Sequence, residues 1–219
     1  MKALLSIAVA FLVAATVSPA GGDASPAPAG YAWQMLPAIN GRVLKPAGWF
    51  FSEIENSDGL GYLISEEDIS DPKSFRTGLK VKYTVLDPAE GLTAPTAIAR
   101  RIYEARKDRG QISELSIGKS GRFQILEFTH DEQVQDIDGA PWFHFVTAMF
   151  ADDDRRLLIY VSFNCPRDVW PQKANFCATM LSDIVLFETP VGKETAEQAT
   201  TGNAGESSLP SATPEARHP

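Results

Sequence analysis

Two of this chain's three histidines, His130 and His144, fall in its aromatic middle, and the first stands directly ahead of Asp131 and Glu132. Two imidazole nitrogens and a carboxylate are a ligand set for a metal such as zinc. No helical or strand spacing forces these groups together. The simpler expectation is therefore two separate residues, His130 in a surface turn and His144 hydrogen-bonded in a core. The third, His218, lies in the polar C-terminal run.

Carboxylates recur in two further runs. Asp136-Ile137-Asp138-Gly139 has the start of an oxygen-ligand loop for calcium. An EF-hand loop needs a third oxygen residue before its glycine and a glutamate farther on, whereas Ala140-Pro141-Trp142 follows here. A polar hairpin loop is the expectation. Asp152-Asp153-Asp154 crowds three carboxylates into one turn, but adjacent side chains diverge, and Arg155 and Arg156 supply counter-charge. Cation binding by Asp136, Asp138 or Asp152 to Asp154 stays an open alternative. Gly118-Lys119-Ser120-Gly121 contains the end of a phosphate loop, yet the upstream glycine would fall at Ser113 and no helical pattern follows. The run reads as a turn. There is no Gly-x-Ser-x-Gly nucleophile elbow and no Gly-rich dinucleotide fingerprint. No catalytic residue, metal or cofactor is expected. A carboxylate pair brought together only by the fold stays open as a hydrolase alternative.

Where the chain works decides how its two cysteines, Cys165 and Cys177, are read. Met1-Lys2 is followed by an apolar run from Ala3 to Val17, broken by Ser6 and Thr16, and then by Ser18-Pro19-Ala20. This is the layout of a secretory signal peptide over residues 1–20, and the run is short for a membrane span. No cysteine sits at the cut, so a lipid anchor is not expected. The mature chain is expected in the periplasm or secreted. In an oxidising compartment Cys165 and Cys177 are expected to pair as a disulfide staple worth about 3 kcal/mol. A redox-active pair is the weaker reading, because the spacing is not C-x-x-C and no basic residue directly flanks Cys177.

The net charge is -8 at pH 7. That excess disfavours nucleic acid and anionic membrane surfaces, both of which select basic faces. No second apolar stretch reaches membrane length. Four Trp and twelve Phe argue against general disorder.

The elements that must position these residues are mostly strands. A short extended run at Arg42–Leu44 leads through Pro46-Ala47-Gly48 into Trp49–Glu55, and Asn56-Ser57-Asp58-Gly59 turns the chain into Leu60–Ser65. Gly78–Leu86 alternates, with Leu79, Val81, Tyr83 and Val85 on one face and Lys80, Lys82 and Thr84 on the other. It reads as a strand near a sheet edge with one face in water. Thr93 as cap and Pro95 in the first turn begin a helix whose buried stripe is Ile98, Ile102 and Ala105 and which Gly110 ends. A meander follows: a weak strand at Gln111–Ile117, then Phe123–His130, Trp142–Phe150 and Leu157–Phe163. The Trp142–Phe150 strand is apolar on both faces, so both must be covered. A second helix, capped by Asp168, runs to Ser182 with Trp170, Ala174, Cys177 and Leu181 inward. Ile184–Phe187 is a short final strand.

Helices inserted between runs of antiparallel strands give an α+β layered domain. The order resembles the PsbP/Mog superfamily. The likeness is carried by Leu44-Lys45-Pro46-Ala47-Gly48-Trp49, the hairpin around Gly59, the amphipathic Ala94–Arg109 segment, the meander, and the closing Ser162-Phe163-Asn164-Cys165-Pro166 with Trp170, Phe176 and Met180-Leu181-Ser182-Asp183-Ile184. It covers most of Gly41–Glu188. The resemblance implies an antiparallel β-sheet flanked by helices on both faces, a PsbP-like α-β-α sandwich. It also implies an adaptor, assembly or stabilising role rather than an enzyme, and it carries no catalytic set onto these residues. The cysteine pair is not part of the pattern.

The domain boundaries read as a signal peptide over 1–20, a flexible leader over 21–31, one domain over 32–188 and a disordered polar tail over 189–219. The leading functional expectation is an exported, non-catalytic interaction factor. It would bind another envelope protein through a strand edge or a groove beside the meander. A small apolar-ligand binder is the alternative, with the hydrolase third. Trp49, beside the Gly48 turn, and Trp142, after Pro141, are the candidate contact residues for a partner or ligand.

Overall fold

The computed structural model describes residues 26–186, apart from 57–58, 72–73, 88–92, 108, 136 and 138. The signal segment 1–20, the polar tail 189–219, and Asp136 and Asp138 of the candidate calcium loop lie outside the described residues.

The fold is α+β. Strands β1 (Tyr31–Leu36), β2 (Gly41–Pro46) and β10 (Val185–Leu186) form a small antiparallel sheet with β2 in the middle. The large sheet holds β3 (Phe50–Asn56), β4 (Gly59–Ser65), β5 (Gly78–Val85), β6 (Ser116–Ser120), β7 (Phe123–Gln133), β8 (Trp142–Asp152) and β9 (Leu157–Pro166). Their spatial order is β3-β4-β5-β9-β8-β7-β6, all antiparallel. Two meanders are thus joined side by side along β5 and β9. Helix α1 (Pro95–Lys107) links β5 to β6, and α2 (Trp170–Ser182) follows β9 after one turn of 3-10 helix.

The hydrophobic alternation along β7, β8 and β9 divides the core in two. Ile125, Phe150, Ile159 and Phe163 join a larger cluster to which α2 contributes Cys177, Met180 and Leu181. Leu126, Phe128, Met149 and Leu158 join a smaller cluster to which α1 contributes Ala99 and Tyr103. The doubly apolar pattern of β8 is explained by its place between β7 and β9.

Several local expectations are corrected. Strand β5 is not at an edge, since β4 and β3 lie beyond it. The inward residues of α1 are Ala99 and Tyr103, with Ile98 and Ile102 half-buried beside them and Ala105 exposed. The Gly118-Lys119-Ser120 run is not a turn but the end of β6, and the turn is at Gly121. Tyr31–Leu36 carried no distinct pattern and was not expected as a strand. Asp168 makes no capping hydrogen bond to α2, whose first turn instead carries Pro171.

The disulfide is also corrected. Cys165 and Cys177 are free thiols, both fully buried. Each points into the larger cluster, one from the end of β9 and one from the second turn of α2. A disulfide needs Cα atoms about 4.4–6.8 Å apart. A helix resting on a sheet through bulky side chains such as Phe163, Phe176 and Met180 holds its backbone farther off than that. Burial pushes the Cys165 thiol up to about 12 and raises that of Cys177 further. Both are protonated at neutral pH and neither is a nucleophile.

Helix α1 is fastened at both of its ends, to the β8–β9 turn and to β7. At its N-terminus the Asp153 carboxylate accepts the Thr96 backbone N–H at 2.9 Å and the Thr96 hydroxyl at 2.7 Å. An acid from the β8–β9 turn therefore satisfies a helix N–H and faces the positive end of the helix dipole, in place of Thr93. At its C-terminal turn Arg106 pairs with Glu132 of β7. Gly110 then lets the chain pass the Asp131 carbonyl, where a Cβ would sit 2.2 Å from the oxygen.

Two outcomes follow. Asp153→Ala lowers stability in urea by about 1 kcal/mol, while Thr93→Ala changes it by less than about 0.5 kcal/mol. Alkylation without reductant labels neither thiol in the folded protein and both in denaturant, and reductant leaves the melting temperature unchanged.

Candidate functional site

The fold separates the two histidines. Successive strand residues point to opposite faces, so Glu132 follows His130 to the face that α1 packs on, while Asp131 follows His144 to the other. His144 Nδ1 lies 2.7 Å from Asp131 Oδ1, its ring rests 4.2 Å from that of Trp170, and Arg167 stands 3.7 Å from Asp131 Oδ2. Among the described residues no group of three or more His, Cys, Asp or Glu side chains could hold a metal ion.

His130 is not a turn residue. It is 3% exposed within β7 and stacked on Phe145 at 4.6 Å, with the ring planes 12° apart. Neither ring nitrogen has a hydrogen-bond partner among the described residues, and Nε2 reaches Glu132 only at 3.5 Å. Burial, reinforced by the Arg106 charge and opposed by Glu132, lowers its pKa to about 4. The ring is neutral at pH 7.

Asp131, His144 and Cys165 occupy one cross-strand row of β7, β8 and β9. That is the order acid, base, thiol. The row lacks what catalysis would need: Cys165 is 0% exposed and its thiol is held protonated by burial.

The Asp152–Asp154 run is divided among structural duties. Asp152 is buried against Arg122 at 2.8 Å, with Arg155 at 4.0 Å, and Asp153 caps α1. Arg156 turns away to donate to the Leu86 and Asp87 carbonyls. Trp49 is half-buried, stacked between Phe163 and Phe176 at 6.5 and 5.5 Å. Trp142 is 42% exposed, with the Arg167 guanidinium 5.6 Å over its ring.

A groove beside the meander was an expectation, but the residues that line it were not among the candidates. Between α1 and the large sheet lies a groove of about 580 Å³. Its floor is the face of β5 and β9 carrying Lys80, Lys82, Tyr160, Ser162 and Asn164. One wall is α1, through Ile98, Ile102 and Arg106. Phe143 and Phe145 of β8 and Val134 and Ile137 of the loop between β7 and β8 contribute further apolar surface. The alternation of β5 had placed Lys80 and Lys82 opposite the core residues. Only the long-range pairing of β5 with β9 brings them under the same helix. The half-burial of Ile98 and Ile102 has the same origin, since they face the groove and not a sealed core. The volume falls within the roughly 300–1,000 Å³ of ligand sites.

No family model matches the chain, and no curated protein does. The likeness to PsbP proteins recurs among solved structures. The solution structure of cyanobacterial PsbP (CyanoP) from Synechocystis sp. PCC 6803 aligns at 14% identity over 77% of this chain and 99% of that one, with a TM-score of 0.47. A crystal structure from Bacteroides thetaiotaomicron aligns at 13% identity over 70% and 47%, with a TM-score of 0.42. LpqN, described as involved in cell envelope biogenesis of Mycobacterium tuberculosis, aligns at 13% identity over 66% and 81%, with a TM-score of 0.39. Among the described residues no helix is long and apolar enough to cross a membrane.

The buried His130 has a measurable consequence. Its folded pKa is depressed from 6.5, so the unfolded chain takes up the proton first on acidification. The stability it permits is complete above pH 6.5 and is lost as pH falls toward 4, by at most ~3 kcal/mol. His130→Phe keeps the ring stack and removes the titration. Urea midpoints at pH 7 and 4.5 then differ less in the variant than in the wild type. Equal differences in the two proteins would mean that the imidazole is already charged or hydrated in the fold.

Proposed function

We propose that this is an exported, non-catalytic binding protein whose site is the groove beside α1. The observation that carries the reading is the 580 Å³ concavity, built from rigid strands on its floor and a helix fastened at both ends on its wall. Preformed, largely apolar concavities with a few polar groups are what small-molecule sites look like. The charged groups that fasten the wall are engaged structurally: Arg106 with Glu132, and Asp153 with the helix terminus. The apolar-ligand alternative raised by the sequence therefore becomes the first reading.

In this reading the signal over 1–20 is removed and residues 32–188 are one α-β-α sandwich, with α1 over the smaller cluster and α2 over the larger. The polar run 189–219 follows the domain. A protein partner in the envelope is the second reading. It is favoured by one feature, the exposure of Trp142 beneath Arg167. Such aromatic and guanidinium surfaces are enriched at interfaces.

Native mass spectrometry of the protein taken from the exported fraction of its cells tests the first reading. A stoichiometric small-molecule adduct is expected in the wild type and is absent in Ile102→Trp, which fills the groove. An adduct unaffected by Ile102→Trp, or none in the wild type, would count against it. Loss of a captured envelope protein in Trp142→Ala would instead support the second.

A further inference from the structure

One cross-strand row of the large sheet runs through the groove. His130, Phe145, Asn164 and Gly78 stand opposite one another in turn on β7, β8, β9 and β5. Opposed residues of antiparallel strands share a face. Phe145 and Asn164 line the groove, and so does Phe75, from the loop ahead of β5. Gly78 has no side chain, and the Phe75 ring takes that place: a Cβ on Gly78 would lie 2.9 Å from Phe75 Cε2.

The row makes a slot for a ring. His130 is stacked on Phe145 with the planes 12° apart. It covers one face of the Phe145 ring and leaves the other turned along the row toward Asn164. Phe75 bounds the far side. Phe145 and Gly78 are two strand spacings apart, about 10 Å. A planar group touching a ring on each side at about 3.5–4.0 Å fills most of that gap. At its base the Asn164 Nδ2 donates to the Arg76 carbonyl at 2.9 Å. That bond fixes the amide, because a carbonyl only accepts. Oδ1 is left as the acceptor, and among the described residues no group donates to it. The occupant must therefore bring an O–H or an N–H.

Charge narrows the class further. Among the described residues that line the groove there is no Asp or Glu, so a cation finds no partner. Lys80 and Lys82 each already make an interaction, and Arg106 holds Glu132. An anion would have to compete with those contacts, whereas a neutral ring leaves them in place.

We infer that the groove binds an uncharged planar aromatic molecule carrying a hydrogen-bond donor, its ring stacked on Phe145 and its donor at Asn164 Oδ1. The apolar wall at Ile98 and Ile102 takes the remainder of the molecule. This ligand class rests on the binding reading above.

The test is calorimetric titration of the full mature chain at pH 7 with 2-naphthol, beside three compounds of similar size. Of these, 2-methoxynaphthalene has no donor, decahydro-2-naphthol has no flat ring, and naphthalene-2-sulfonate has a negative charge. 2-Naphthol binds one to one, about tenfold tighter than each of the three. Phe145→Leu brings 2-naphthol down to the level of decahydro-2-naphthol and leaves the latter unchanged. The comparison among ligands is made on the wild type, so the prediction does not depend on the variant folding. Equal binding of 2-naphthol and any one of the three overturns the inference, as does 2-naphthol binding that survives in Ile102→Trp. If 2-naphthol fails to bind while the native protein still carries an adduct lost in Ile102→Trp, the ligand class falls and the binding reading stands. Absence of both removes the two together.

Discussion

One connection sets the shape of this domain. The chain leaves the large sheet at β5, in its middle, and must re-enter at β6, on its far edge. It has to pass over β9, β8 and β7, and α1 is the segment that does so. Seven strands about 4.8 Å apart make a sheet roughly 29 Å wide, while a helix with its side chains is about 10–12 Å across. A single helix cannot cover that face. Asp153, just past the end of β8, and Glu132, near the end of β7, decide which part is covered, because they hold the first and last turns of α1. The β5–β9 side is what remains open, and the groove is that remainder.

The same constraint explains the polar residues on the covered face. Lysines on an interior strand are costly unless water or a counter-charge reaches them. An incompletely covered face supplies the access, so β5 can stay polar on one side although it lies two strands in from the edge. His130 shows the opposite situation. It lies in the same face under the part that α1 does cover, between Phe128 and Phe145, and its pKa falls because water is excluded. Two positions on one face thus meet different solvents according to where a single helix lies.

What was legible in the sequence was local. The alternation of β5, the doubly apolar β8, the turn at Gly59, Pro95 in the first turn of α1 and the inward stripe of α2 each depend on neighbours in the chain. The hairpins could be read because sequential strands pair. The β5–β9 pairing could not be, since 80 and 162 share no local signal, and with it the groove stayed hidden. Capping failed for the same reason: Thr93 is the right residue type next to the helix, but the acid that caps it comes from a turn 57 residues away. The disulfide expectation failed differently. Compartment and spacing allowed it and both thiols do face one core, yet the layer between strand and helix holds them apart.

The chemistry of the domain is divided between the two faces of the sheet. Catalysis needs a titratable group and access for a substrate in one place. Here they are divided. The row Asp131, His144 and Cys165 has the right groups in the right order, but its thiol is sealed in the larger cluster and held protonated. The open groove has access and hydroxyls, and the imidazole behind it, His130, is walled off by Phe145 and neutral. Joining the two would take exchange of side chains across the sheet, which a one-residue register slip would bring only by turning every core residue of that strand outward.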